Sequence, residues 1–151
     1  MSRKILVFAV FIALVYLIGL SGGIFTDTGP WYQGLRKPFF TPPGWVIAII
    51  WNILFLLIGL SGGLMYFQPE RRSFFTVYGL NLALNFLWSL IFFGFKSPAW
   101  AFIEITILWL TILALIFLSW KRSKIAAYLL IPYLVWVSIA GAINLSIVFL
   151  A

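Results

Sequence analysis

Asn81, Asn85 and Trp88 stand at i, i+4 and i+7, a spacing that puts two amides and an indole on one face of a helix. Trp136, Ala140 and Asn144 follow at i, i+4 and i+8. An indole, a small residue and an amide in that order make a shelf with a gap above it. Another stretch offers Trp45, Trp51 and Asn52, and a fourth holds Glu104 with Trp100 and Leu108 four residues to either side. Indoles stack and amides orient, so this chemistry suits recognition of a flat, conjugated, mostly apolar molecule. The chain contains no His and no Cys. Zinc sites, disulfides, thiol nucleophiles, a Ser-His-Asp triad and His-ligated haem are thereby excluded, and no metal is expected.

Each group also has a packing role to weigh. Asn side chains often bond adjacent helices in membrane bundles; that reading is preferred for Asn81, while Asn85 suits either role. A Trp stripe is more often packing than a ligand box, yet Trp51, Trp88 and Trp136 sit deeper than interfacial belts require. Glu104 lies about five residues into its span, ~8 Å from the interface at 1.5 Å per residue. There it is expected to be partly solvated, hydrogen-bonded near a helix start, or protonated. No second carboxylate or His completes a proton relay, so a structural or site-shaping role is expected.

The elements that carry these residues are set by composition. Of 151 residues, 64% are hydrophobic and only 9% charged, too few polar groups to clothe a soluble domain. The solvent must be lipid. A spanning helix needs about 20 mainly apolar residues. Five stretches qualify: Ile5–Phe25, Trp45–Phe67, Phe74–Phe95, Ala99–Trp120 and Ile125–Ala151. They predict an all-α integral membrane protein, a five-helix bundle in one domain over residues 1–151. The runs are continuous rather than alternating, which argues against a transmembrane barrel. The first run is 21 residues long with no clean small-x-small site after it, so it is read as a retained span and not a signal peptide.

Charge gives orientation. Arg3, Lys4, Arg71, Arg72, Lys121, Arg122 and Lys124 fall on the N-terminal side, and Arg36, Lys37 and Lys96 on the other. Seven against three predicts a cytoplasmic N-terminus. Cations placed between apolar blocks meet lipid headgroups, so the net charge of +7 is not read as nucleic-acid binding.

One connection, Thr26–Gly44, is far longer than the others. It carries Pro30, Pro38, Pro42 and Pro43 with Trp31, Tyr32, Phe39 and Phe40, a stiff loop with an apolar underside. It reads equally as an interfacial aromatic belt or as a lid over a cavity. The heptapeptide LIGLSGG occurs at 17–23 and again at 57–63. The copies are expected to form separate close-packing seams, Gly19-xxx-Gly23 and Gly59-xxx-Gly63. Gly79 and Ala83 lie about 200° around their helix from the Asn pair, free to pack on a neighbour or a second copy. Pro132 is expected to kink the last span.

Several stretches together resemble the TspO/MBR family, and they run from the first loop to the last helix. They are Trp31-Tyr32, Lys37-Pro38-x-x-x-Pro42-Pro43-x-Trp45-Val46 with Trp51, and Ala83-Leu84-Asn85-Phe86-Leu87-Trp88-x-x-Ile91-Phe92-Phe93. Pro98-Ala99-Trp100-Ala101-Phe102-x-Glu104-Ile105 and Pro132-Tyr133-Leu134-x-Trp136-x-x-x-Ala140-x-x-x-Asn144 continue it. The resemblance implies a bacterial five-helix membrane protein, usually dimeric, with no obligatory cofactor. It implies binding of protoporphyrin IX and of isoquinoline-carboxamide or benzodiazepine ligands beneath the first loop. Matched position by position, the pocket would draw on Tyr32, Pro42, Trp51, Asn85, Trp88, Trp100, Trp136 and Ala140, with Arg36 or Lys37 available to porphyrin propionates. Trp51 and Trp136 match the indoles tied to light-dependent porphyrin degradation in some bacterial members. Two departures count. The stretch after Asn144 lacks the Tyr and Arg of the animal sterol motif, and Gly44 stands where animal members commonly have His. The functions in play are a porphyrin sensor or regulator, a light- and oxygen-dependent degrading enzyme, and a transporter. The last has little support, with no charged pathway or broken-helix pair.

Overall fold

The structure is a computed structural model that describes residues 2–151. Five long helices are each apolar and long enough to cross a bilayer, and the described residues contain no strand. The protein is an all-α integral membrane protein. Helix α1 (Arg3–Gly23) starts where the Ser2 hydroxyl accepts the Ile5 N–H at 3.3 Å. A short α2 (Pro30–Gln33) interrupts the long connection, with Pro at its first position. Helices α3 (Gly44–Tyr66) and α5 (Pro98–Trp120) likewise begin at prolines, Pro43 as cap and Pro98 as first residue. The third span is α4 (Arg72–Ser89), closed by a π-helical turn over Leu90–Gly94. Helix α6 (Lys124–Leu150) is capped by the Ser123 hydroxyl and runs unbroken through Pro132, so the expected kink does not divide it.

With the π turn counted in the third span, the expected spans are found within two residues of their observed ends. The differences have local causes: Ser2 and Ser123 start α1 and α6 slightly earlier than the apolar runs do. The spans alternate in direction, so the α1–α3 connection, the π turn and the start of α5 share one end of the bundle. The core is made by Ile58, Leu108, Ile112, Leu115, Leu130 and Tyr133, all nearly or fully buried.

Glycine makes the α1–α3 contact close. A Cβ on Gly59 would lie 2.8 Å from the Cα of Ile12, and one on Gly63 would lie 2.3 Å from the Phe8 ring. Gly62 faces Phe11 and Tyr78, while Gly19 faces the Phe55 ring. The expected Gly59-xxx-Gly63 seam is found, packed on α1, and Gly19 of the first copy joins the same α1–α3 contact. Gly23 takes no part: a Cβ there would meet nothing within 4 Å, because α1 ends at that residue. Two bonds tie the helices further, Tyr78 Oη to the Ile58 carbonyl and Ser61 Oγ to the Ala126 carbonyl, both 2.9 Å.

Candidate ligand-binding site

Trp51 of α3 and Trp136 of α6 meet edge to face, ring centres 6.5 Å apart at 87°. Trp51 also stacks on Phe55 at 5.6 Å and meets the Tyr133 edge at 6.3 Å. Trp136 is 7% exposed and its indole N–H has no partner. A buried unpaired donor costs stability, so it marks a place where a ligand acceptor is favoured.

Below and beside the indoles lie two polar layers. In one, Asn85 Nδ2 donates to Tyr133 Oη at 3.0 Å, and Tyr133 Oη donates to Asn81 Oδ1 at 3.2 Å. Asn81 Nδ2 then donates to Thr111 Oγ1 at 2.9 Å. Three helices are joined by one chain of side chains. The reading of Asn81 as an interhelical bond holds, while Asn85, half-buried, keeps its carbonyl oxygen without a bond to protein. In the other layer Trp88 Nε1 donates to Asn144 Oδ1 at 3.0 Å, and Asn144 Nδ2 donates to the Pro98 carbonyl at 2.8 Å. Asn144 is thereby a link between α4 and the start of α5.

The loop packs on the bundle end through α2. Trp31 meets Phe92 at 5.7 Å and Tyr32 meets Phe93 at 5.6 Å, both partners lying in the π turn. Trp88 stacks on Phe92 at 4.9 Å, which connects the loop seat to the second polar layer. Burial holds the Tyr32 phenol above its usual range, so it stays a neutral donor at physiological pH. Lys37 is already engaged: Nζ donates to the Tyr32 carbonyl at 2.7 Å and sits 4.2 Å from the Tyr32 ring centre. Arg36, the other loop cation, is exposed and makes no such bond.

Of the expected pocket residues, Trp51, Asn85, Trp88, Trp136 and Ala140 face the bundle interior at least in part, and Tyr32 and Pro42 are half-buried in the loop. Trp100 stands apart, 68% exposed near the start of α5. Glu104 is 5% exposed, with both carboxyl oxygens unpartnered, so the expectation of partial solvation or a hydrogen bond at a helix start is corrected. The buried face of α5 carries it inward with Ala101 and Leu108. Tyr133 was missed as a site residue and is the hub of the first layer. Its position three residues before Trp136 on α6 was the available signal. Among the described residues no cluster of acidic side chains could hold a metal ion.

Gly79 and Ala83 are exposed, and a Cβ on Gly79 would meet nothing within 4 Å. They line an apolar groove of about 750 Å³ with Leu14 and Ile18 of α1 and Phe86 and Leu87 of α4.

Fold and site together define a helical membrane protein with an indole-and-amide cluster between its helices and a proline-rich aromatic loop seated on the π turn. Residues 11–150 match the TspO/MBR family, and the chain belongs to that family. It is 38% identical over 144 residues to the tryptophan-rich protein TspO of Archaeoglobus fulgidus, covering 90% of this chain and 91% of that one. It is 32% identical over 114 residues to the tryptophan-rich sensory protein of Cereibacter sphaeroides, covering 76% and 72%. Against the translocator protein of Sus scrofa it is 33% identical over 119 residues, covering 76% and 70%.

Proposed function

We propose that this protein binds protoporphyrin IX within the membrane, beneath the α1–α3 loop, as a sensor or regulator of porphyrin levels. The observation that carries the reading is the Trp51–Trp136 pair with a buried, unpartnered indole N–H. A macrocycle face would stack on these rings, and the Asn85 amide would orient its edge. The loop acts as the lid, and Arg36 is the cation left to meet a propionate. The same surface accommodates isoquinoline-carboxamide or benzodiazepine ligands, whose carbonyl can accept from the Trp136 N–H. Protoporphyrin titrated in the dark into the purified protein should quench Trp emission and saturate near one equivalent per chain, and an isoquinoline carboxamide should reverse it. Quenching that rises without saturation sinks the proposal.

A second reading is supported by the contact between the two indoles. An indole beside a photoexcited porphyrin can give up an electron, and dioxygen then serves as the oxidant for ring opening. Illuminating the complex in air should yield a new absorbing product under that reading, and under simple binding it should not.

The groove at Gly79 and Ala83 is proposed as the face of a homodimer, since small residues let two helices approach closely. Gly79→Leu with Ala83→Leu should shift the protein from dimer to monomer in detergent without lowering its melting temperature. An unchanged mass in light scattering would reject this face. The N-terminus is proposed to be cytoplasmic and the membrane a bacterial cell membrane, on the seven-to-three charge distribution.

A further inference from the structure

Three side chains from separate parts of the chain converge at the N-terminal end of the bundle. Arg71 places its guanidinium 4.6 Å from the centre of the Tyr66 ring and also donates to the Tyr66 carbonyl. Arg3, from the first turn of α1, brings a second guanidinium 5.9 Å from the same centre. The two cations are therefore at most about 10.5 Å apart, close to the Debye length of about 10 Å at 0.1 M salt, and they repel each other.

Nothing acidic in the chain neutralises them. The sequence has three acidic residues, Asp27, Glu70 and Glu104. Asp27 lies in the connection at the opposite end, and Glu104 is buried in α5. Glu70 is adjacent to Arg71 but pairs with Arg122 of the α5–α6 turn. Its backbone takes φ 53°, a left-handed conformation uncommon for a residue with a side chain. The turn thus sends the carboxylate away to Arg122 while Arg71 folds back over Tyr66.

We propose that Arg3, Tyr66 and Arg71 form a clamp for the phosphate of one anionic phospholipid. Guanidinium forks match phosphate oxygens in paired hydrogen bonds, and the Tyr66 ring lies close to both cations. The lipid source is favoured over free phosphate by what lies beneath. Ile5 and Leu6, one turn further along α1, are 60% and 53% exposed and offer acyl chains an apolar track. The site ties the start of α1 to the α3–α4 turn through a headgroup, at the opposite end of the bundle from the indole site, and it stands independently of porphyrin binding.

Native mass spectrometry of the detergent-purified protein with added phosphatidylglycerol or phosphatidylcholine tests this. Wild type should retain one phosphatidylglycerol preferentially. Arg3→Gln with Arg71→Gln should weaken that first adduct roughly tenfold or more, since each guanidinium gives up its charge-assisted fork to the phosphate. Arg72→Gln with Lys121→Gln removes the same charge from the same end and should change it less than about twofold, the site's geometry rather than net charge being decisive. Equal loss in both double variants overturns the clamp and leaves a general charged surface. Displacement of the lipid by millimolar inorganic phosphate overturns the lipid assignment. Should the first double variant fold poorly, Arg71→Lys keeps the charge and removes the fork; it should weaken the adduct several-fold, and an unchanged adduct contradicts the proposal.

Discussion

Gly59→Leu is expected to disrupt the bundle more than any other single change considered. The new Cβ would stand 2.8 Å from the Ile12 Cα and 3.1 Å from the Ile12 nitrogen. Those are backbone atoms, so no rotamer change relieves the clash and α1 must move away from α3. Overpacking a close-packed site costs roughly 1–3 kcal/mol, and the full Leu side chain at a backbone contact belongs at or beyond the upper end. Separation would also free Gly62 and Gly63 from Phe11 and Phe8. Thermal unfolding in detergent should show a melting temperature far below wild type, or no folded protein. Gly23→Leu, with open space at its Cβ, should melt like wild type. Equal behaviour of the two variants would contradict the seam.

Tyr133→Phe has the second largest expected effect, and it links fold to site. Tyr133 is fully buried and its hydroxyl both accepts from Asn85 and donates to Asn81. The substitution keeps ring volume, so no cavity forms, but it strands an amide N–H and an amide carbonyl. In a soluble core each orphan costs about 1–3 kcal/mol. In lipid the unfolded helices also find partners, and interhelical bonds average about 0.6 kcal/mol with a maximum near 1.7. The second scale applies here, so a loss of about 1–2 kcal/mol is expected, because Asn81 keeps Thr111. Asn85 loses its only side-chain partner and its fixed orientation, so porphyrin affinity should fall several-fold while quenching at saturation remains. Unchanged stability and affinity would show that the layer is not coupled to the site.

How far the fold was legible follows from the same residues. Lipid as solvent makes hydrophobic length decisive, so five spans could be read from apolar runs and their short joins. The face shared by Asn81, Asn85 and Trp88 was equally legible, because helical periodicity acts within one element. Partners across elements were not. That Asn85 meets Tyr133, and Trp88 meets Asn144, depends on helix rotation and register, which periodicity leaves open. The repeated heptapeptide was legible in part: the Gly59-xxx-Gly63 seam is found, but that Gly19 would join the same α1–α3 contact and Gly23 would not depends on register. The bond from Lys37 to the Tyr32 carbonyl was hidden too, because a loop cation can satisfy local carbonyls and no spacing rule announces that.

In the proposed function the Trp51–Trp136 pair forms the wall of a porphyrin site. Its most direct test is a dark protoporphyrin titration of wild type against Trp51→Phe with Trp136→Phe, read through porphyrin fluorescence so that the loss of two indoles does not alter the probe. Phe keeps an aromatic face but removes the indole N–H and part of the stacking area, worth about 0.5–1.5 kcal/mol per aromatic pair. The double variant should show a dissociation constant raised at least tenfold with the melting temperature nearly unchanged. Identical binding curves for the two proteins would contradict it.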